Sequence, residues 1–244
     1  ARPYAENVEQ MMREVARSAS GDLPLLTGRE VRRVAVCTLT ADRGLAGGFN
    51  AQVLRRTVRL RDEKDQGALQ VASGRKAVAF FRFRRVELAE VFTGFTDNPT
   101  YEKAREIGRT LSRLFDEEAA DEVYLLYNRF ESALTQRPVV KRLLPVAPED
   151  EEEENGTSYM EYIPDAETVL KRLVPRYVET MVWQALLEGA AGEHGARMTA
   201  MKNATDNAND LVRDLTLQMN KARQAQITQE ILEIVSGAEA LSAG

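Results

Sequence analysis

The sequence predicts an α/β fold, in which a doubly wound, mostly parallel sheet domain joins a long antiparallel coiled coil of the N- and C-terminal helices. Between residues 21 and 164, short apolar runs alternate with helical patterns, as is typical of a Rossmann-like parallel sheet. Residues 1–20 carry an amphipathic helical pattern, and residues 165–244 predict a short helix followed by a very long one. These three segments are the predicted domains.

The composition narrows the classes of function. A hydrophobic content of 43% supports a real core, and a net charge of −5 without a basic block argues against nucleic acid as the partner. Cys37 is the only cysteine, which excludes an internal disulfide, and its apolar surroundings predict a buried core residue. No apolar run reaches about 18 residues, so no membrane span and no signal peptide are predicted.

The predicted elements follow in order. Residues 3–20 form a helix that ends near Gly21, and because the chain begins inside this pattern without Met, we expect its true start to lie upstream. Strands are predicted at 31–40, 68–73, 88–95 and 121–130, with helices between them at about 45–64, 75–85 and 99–118. Residues 136–146 contain Pro138 and Pro145, which suit an antiparallel edge strand.

The next stretch is strongly acidic. Residues 148–158 predict a solvated loop, because like charges repel and their glutamates lack the fixed spacing that a metal site needs. Residues 158–164 predict one more strand. Asp165 is placed to cap a short helix, and Pro175 suits the first position of a new one.

From Arg176 to about Leu241 the sequence predicts one helix on the order of 100 Å long. The middle of this helix carries a heptad seam that requires a closely packed partner helix. The seam residues are Met201, Ala204, Ala208, Leu211, Leu215 and Ala222. A second apolar stripe, out of phase with the first, begins at Ile227. Residues 3–20 can cover about a quarter of this helix, so we expect upstream residues to cover the rest.

Three glycines interrupt the helix at positions 189, 192 and 195, where each costs about 1 kcal/mol relative to alanine. They indicate either close packing of another helix or a more flexible helix at this point, and we favour close packing. His194 is the only histidine, which excludes a histidine-based triad or cluster.

The stretch DRGLAGGFN, residues 42–50, lies between a strand and a helix as a phosphate-binding loop would. Its glycines, Gly44, Gly47 and Gly48, match neither the dinucleotide fingerprint nor the P-loop, and Asp42 would repel a phosphate. The loop therefore predicts a sharp turn. We predict no catalytic residue, no cofactor site and no metal site in this chain.

Three segments carry a family resemblance. EHGARMTAMKNATDNANDLVRDLTLQMNKARQAQITQEILEIVSGAEAL (193–241) resembles the C-terminal signature of the gamma subunits of F-type ATP synthases. LTADRGLAGGFNAQV (39–53) resembles their glycine loop, with Ala46 where cysteine is frequent, and DEVYLLYNRFESALTQRPVVKRLLPV (121–146) resembles their strand pair. The resemblance covers almost the whole chain, and the lack of a cysteine-bearing insertion favours a bacterial source.

The resemblance implies a non-catalytic rotor shaft. Its partners would be the alpha and beta subunits of the catalytic ring, the epsilon subunit and the membrane c-ring, with no nucleic acid and no direct small-molecule substrate. It would be peripheral, at the cytoplasmic face of the bacterial membrane. Proton flow would turn the shaft, which would present a different face to each beta subunit in turn.

The resemblance also implies roles for particular residues. Contacts to a beta-subunit loop would come from Arg223, Gln224, Thr228 and Glu230. An apolar bearing at the top of the ring would consist of Ile231, Ile234, Val235, Ala238 and Leu241. The lower lever of a beta subunit would be faced by Asp42, Arg43, Gly44, Gly47, Gly48 and Asn50.

Two other classes stay open at the level of sequence. One is a nucleotide-dependent α/β enzyme with a helical oligomerisation arm, and the other is a coiled-coil adaptor. Tight stoichiometric binding of ATP or NAD would favour the enzyme.

Overall fold

A computed structural model describes residues 2–18, 28–64, 67–146 and 166–242. The chain divides into two compact units, Ala1–Thr199 and Ala200–Gly244. In chain order the elements are α1 (Arg2–Ser18), β1 (Val34–Leu39), α2 (Phe49–Glu63), β2 (Ala68–Ser73), α3 (Arg75–Phe83), β3 (Leu88–Phe92), α4 (Tyr101–Asp116), β4 (Glu122–Phe130), β5 (Gln136–Leu144) and α5 (Ala166–Ser242). The predicted acidic loop and the strand at 158–164 lie outside the described residues.

The five strands form one sheet in the order β3-β2-β1-β4-β5. β1 pairs in parallel with both β2 and β4, and β2 pairs in parallel with β3. β5 pairs antiparallel to β4 at the edge, where Pro138 costs the sheet no central hydrogen bond. The predicted doubly wound, mostly parallel sheet with an antiparallel edge strand is confirmed.

β1 is the central strand, and each of its six residues is buried. Alternate side chains serve the two faces of the sheet, because successive residues of a strand point in opposite directions. Ala35, Cys37 and Leu39 pack in the largest core cluster with residues of α1, α4 and α5. Val34 and Val36 pack in a second cluster beneath α2.

Cys37 is fully buried, as predicted. Burial raises the pKa of its thiol to about 12, because the apolar interior disfavours the thiolate. The thiol is therefore inert at neutral pH, and Cys37 serves as a small core residue.

The expected break at Pro175 is wrong: α5 is one helix, with Pro175 inside it. A proline in a helix interior costs roughly 3 kcal/mol, since it removes a hydrogen bond and crowds the preceding turn. The neighbouring Val174, Tyr177 and Val178 are all buried in the core. Burying such side chains contributes about 1.5–3 kcal/mol each, which outweighs the cost of the proline.

α1 belongs to the core of the first unit. Ala5, Val8 and Met12 are buried in the same cluster as Val178 and Val182 of α5. Glu9 of α1 forms a salt bridge with Lys141 of β5. The described part of α1 therefore packs beside the first part of α5, while the heptad seam from Met201 onward is exposed.

Candidate functional site

The loop after β1 is tied to the neighbouring turns by one carboxylate. Asp42 Oδ1 accepts a hydrogen bond from the backbone N–H of Arg75 at 3.0 Å. Its Oδ2 accepts from the backbone N–H groups of Gly94, Phe95 and Thr96 at 2.8, 3.0 and 3.1 Å. These donors lie at the start of α3 and after β3, so Asp42 links the turns that follow three parallel strands.

The charge of Asp42 is stabilised by these donors. Burial raises the pKa of the carboxyl group, but hydrogen bonds from Thr96, Arg75 and Gly94 outweigh it and hold the pKa below its ordinary value. Backbone N–H groups in such turns commonly bind phosphates in α/β proteins. Here an internal carboxylate already occupies them.

The rest of the predicted loop shares this structural role. Asn50 Oδ1 accepts a hydrogen bond from the backbone N–H of Ala41 at 2.8 Å, and Arg43 forms a salt bridge with Asp97. Among the three glycines, Gly47 alone adopts a positive φ, of 53°. The loop is therefore a braced turn, as its sequence predicts.

The crevice at the carboxyl ends of β1 and β4, where the strand order reverses, is filled. In doubly wound sheets, ligands bind at the carboxyl ends of the strands where the strand order reverses. At this point the structure has a cavity of about 20 Å³, lined by residues that include Thr40, Phe49, Gly189 and Glu193. That volume suits roughly one water molecule and is far too small for a nucleotide.

Three buried glutamates anchor α5 to the sheet domain. Glu179 accepts a hydrogen bond from the Tyr101 hydroxyl at 3.0 Å. Glu188 Oε2 accepts one from the backbone N–H of Phe130 at 3.1 Å. Because unpaired buried carboxylates are costly, these contacts fix the helix in one position along its own axis.

Glu193 is the most deeply buried of the three, with 1% of its surface exposed. It forms a salt bridge with Arg197, one turn along the helix, and Arg197 also reaches the carbonyl oxygen of Gly44. Burial and the neighbouring Asp97 raise the pKa of the Glu193 carboxyl group, while Arg197 opposes that shift. This cluster joins α5 to the loop that Asp42 braces.

Close packing explains two of the three helix glycines. A Cβ at Gly192 would lie 3.0 Å from the Phe49 ring, and one at Gly195 would lie 2.9 Å from Ala133 Cα. A Cβ at Gly189 would meet nothing within 4 Å. The preference for close packing is therefore right at two positions: Gly192 packs against the first residue of helix α2, and Gly195 packs against the turn between β4 and β5.

The second unit consists of the remainder of α5, and each of its described side chains from 201 to 238 is exposed. The predicted seam residues Met201, Ala204, Ala208, Leu211, Leu215 and Ala222 are all among them. The stripe residues Ile231, Ile234, Val235 and Ala238 are exposed too, whereas the side chain of Leu241 lies outside the described part. At about 100° per residue the centres of the two stripes are separated by roughly 140° around the helix.

The four predicted polar contact residues do not form one patch. Arg223 and Glu230 lie on one side of the stripe that begins at Ile227, and Gln224 and Thr228 lie on the other. The Thr228 hydroxyl donates to the carbonyl oxygen of Gln224, one turn back, at 2.9 Å. The Glu230 carboxylate accepts a hydrogen bond from Gln226. A partner that meets all four residues must therefore straddle the stripe.

Comparison with known proteins identifies the family. The sequence profile of the ATP synthase family, described as "ATP synthase", matches residues 1–241. An ATP synthase gamma chain from Rubrobacter xylanophilus is 70% identical, and the match covers 100% of this chain and 86% of the relative. The gamma chain from Moorella thermoacetica is 49% identical, over 99% of this chain and 85% of the relative.

The chain belongs to the ATP synthase gamma-chain family. Gamma chains are central-stalk subunits of F-type ATP synthases, so the chain is a subunit of a complex that couples ATP synthesis to ion transport. Among the described residues, no helix has both the length and the apolar character required to cross a membrane.

Solved structures share the fold at low sequence identity. A chain of the Euglena gracilis mitochondrial ATP synthase has a TM-score of 0.68 at 17% identity, with 100% of this chain and 91% of that chain covered. A chain from the Tetrahymena thermophila enzyme, titled central stalk and c-ring, has a TM-score of 0.60 at 20% identity, with 83% and 96% covered. This fold is thus shared by chains of distant sequence.

Sequence reasoning missed the anchoring glutamates. A signal for two of them exists, because Glu188 and Glu193 interrupt the mostly small and apolar run ALLEGAAGEHGA, residues 185–196. An acidic residue within an apolar helix face indicates a buried, partnered carboxylate.

Replacing Asp42 with asparagine should lower the free energy of unfolding at pH 7 by roughly 1–3 kcal/mol, because one acceptor oxygen becomes a donor that faces backbone N–H groups. The pKa of Asp42 is lowered in the folded chain, so its stabilising contribution is present above about pH 4 and is lost as the pH falls through the folded pKa. Urea unfolding followed by Trp183 fluorescence should show the difference between the two proteins shrinking below pH 4. A pH-independent difference would contradict this account, and Asp206→Asn on the exposed helix is the control.

Replacing Gly195 with alanine should destabilise the first unit by roughly 1–3 kcal/mol, since the added methyl group meets the backbone of Ala133. The matched variant Gly189→Ala should instead stabilise it by up to about 1 kcal/mol, because its methyl group enters open space within a helix. Urea unfolding by Trp183 fluorescence measures both. Equal effects would show that α5 does not pack against the β4–β5 turn.

Proposed function

We propose that this gamma chain is a non-catalytic rotor shaft, which couples proton-driven rotation of a membrane ring to conformational changes in three catalytic beta subunits. The observation that carries the proposal is the contrast within α5. Its first part is held by buried carboxylates and tight glycine contacts, whereas residues 201–238 expose every side chain. A helix with this contrast can receive torque at its base and act through its sides.

Rotation is coupled to the conformations of the neighbouring subunits through surface contacts alone. Each face of the exposed helix differs in charge and apolar character, so each stabilises a different conformation of a neighbouring subunit. Rotation changes which face a subunit meets, and the free energy of that contact shifts the population of its states. No bond is made or broken on this chain.

We propose different partners for the exposed part of α5 and for the sheet domain. The alpha and beta subunits surround residues 200–242, and the epsilon subunit and the c-ring contact the sheet domain. The complex lies at the cytoplasmic face of the bacterial membrane, with this chain peripheral to it. The heptad seam from Met201 to Ala222 packs against a partner helix, and the two helices form a coiled coil.

Within this arrangement the exposed residues have distinct tasks. Arg223, Gln224, Thr228 and Glu230 hydrogen-bond a loop of a beta subunit, which grips the helix from both sides of the apolar stripe. The stripe from Ile231 to Leu241 turns inside an apolar collar, where contacts lack direction and rotation breaks few hydrogen bonds. The loop at 42–50 faces the lower lever of a beta subunit.

The alternative of a nucleotide-dependent enzyme is disfavoured by the filled crevice at the β1–β4 divergence. Phe49 and α5 occupy the space that a nucleotide would need, and the Asp42 carboxylate uses the N–H groups that would bind its phosphates.

Co-expression with alpha and beta subunits tests the proposal. The full-length chain should co-purify with them and raise their ATPase activity. The variant Gln224→Ala/Thr228→Ala should lower that activity by roughly thirtyfold, because two hydrogen bonds of about 1 kcal/mol each are lost. Gln229→Ala, about 140° around the helix from Gln224, is the matched control and should leave the activity unchanged.

Failure of the chain to join the alpha and beta subunits would refute the shaft. Equal loss in the Gln224/Thr228 and Gln229 variants would refute the assignment of the contact residues while leaving the shaft intact.

A further inference from the structure

One segment of this chain carries an excess of positive charge. Residues 49–87 contain ten lysines or arginines and four acidic residues, although the whole chain has a net charge of −5. These cations are spread through the sequence, so no basic block is visible there. They come together only because α2 and α3 lie on the same face of the sheet.

The fold places both helices opposite α5. Leu54 of α2 packs with Ala77, Val78 and Phe81 of α3 in one cluster, on the side of the sheet that faces away from the core shared by α1, α4 and α5. The surface that these two helices present, which we call the α2–α3 face, is therefore separate from the surface at which α5 is anchored.

Arg75 of the α2–α3 face forms a salt bridge with Asp42, but four other arginines of this face have no acidic partner within the described residues. Arg55, Arg59, Arg82 and Arg85 are exposed, and none of them forms a salt bridge there. Arg84 lies over the Phe80 ring at 5.2 Å. Unpaired like charges held together on one surface repel each other, which a complementary partner would relieve.

Phe83 stands among these arginines at the last position of α3, with 89% of its surface exposed. It is more exposed than any other large apolar side chain described. An aromatic ring flanked by arginines is a combination enriched in the buried centres of protein interfaces.

We propose that the α2–α3 face docks an acidic surface of another protein subunit in the assembled ATP synthase, with Phe83 inserted into an apolar pocket of that subunit. The location of the partner within the complex rests on the proposed function. The arginines would bind carboxylates around the rim, and the ring would supply the desolvated centre.

The composition of the face favours a protein over a lipid surface. Six of its exposed cations are arginines (55, 59, 75, 82, 84 and 85), whose planar guanidinium groups bind carboxylates in pairs of parallel hydrogen bonds. A membrane-bound helix needs a broad apolar face beneath its cations. Here the apolar face of each helix is buried on the sheet, and the single ring of Phe83 protrudes.

A photochemical cross-link tests the docking. Phe83 is replaced by p-benzoylphenylalanine in the full-length chain, the complex is assembled in native membranes and irradiated, and the adduct is identified by mass spectrometry. We expect one adduct, to a peptide of another subunit that is rich in aspartate and glutamate. Its yield should fall by roughly tenfold when Arg82→Glu/Arg85→Glu is added.

Arg105→Glu is the matched control, since Arg105 is an equally exposed helix arginine on the opposite side of the sheet. It should leave the yield unchanged. An adduct to lipid, an adduct to a peptide that is not acidic, no adduct, or equal losses for both charge reversals would overturn the docking. If the chain assembles with alpha and beta subunits while the cross-link fails, the docking is wrong and the shaft stands; if the unmodified chain does not assemble, the shaft itself fails.

Discussion

The structure depends on the burial of one part of α5 in the sheet domain. Apolar side chains such as Val178, Val182 and Leu186 supply the area, and Glu179 and Glu188 supply polar contacts that hold in one register only. The close packing of these side chains resists sliding and turning of the helix. A shift of the helix would also separate Glu179 from Tyr101 and Glu188 from the N–H group of Phe130, and losing the partner of a buried carboxylate is costly.

The sheet that holds this helix has the topology of a ligand-binding domain, but side chains of the protein itself occupy the positions where ligands would bind. Asp42 takes the N–H groups that follow β2 and β3, and α5 with Phe49 fills the crevice between β1 and β4. In both places, groups of the chain itself occupy the position of a ligand and make the domain more rigid. A fold that is common among enzymes can thus become a base for a shaft when a carboxylate and a helix occupy the space of substrate and cofactor.

Periodicity in the sequence was sufficient for the strands, the edge strand and the long helix, since each is a local pattern. The same local patterns wrongly predicted a helix break at Pro175. Val174 and Tyr177 are buried by tertiary contacts, and this burial outweighs the local cost of the proline. The anchoring glutamates and the α2–α3 face were missed for a related reason. Their meaning depends on partners such as Tyr101 or Leu54, which are distant in sequence and close only after folding.

The anchoring of α5 can be measured by amide hydrogen exchange along the helix, in the full-length chain alone and in its complex with alpha and beta subunits. If the helix is anchored by its first part and works through its exposed sides, residues 174–199 will be strongly protected in both samples, and residues 201–238 will gain protection of several orders of magnitude only in the complex. Rapid exchange at 174–199 in the free chain, or equal protection of 201–238 in both samples, would contradict the account.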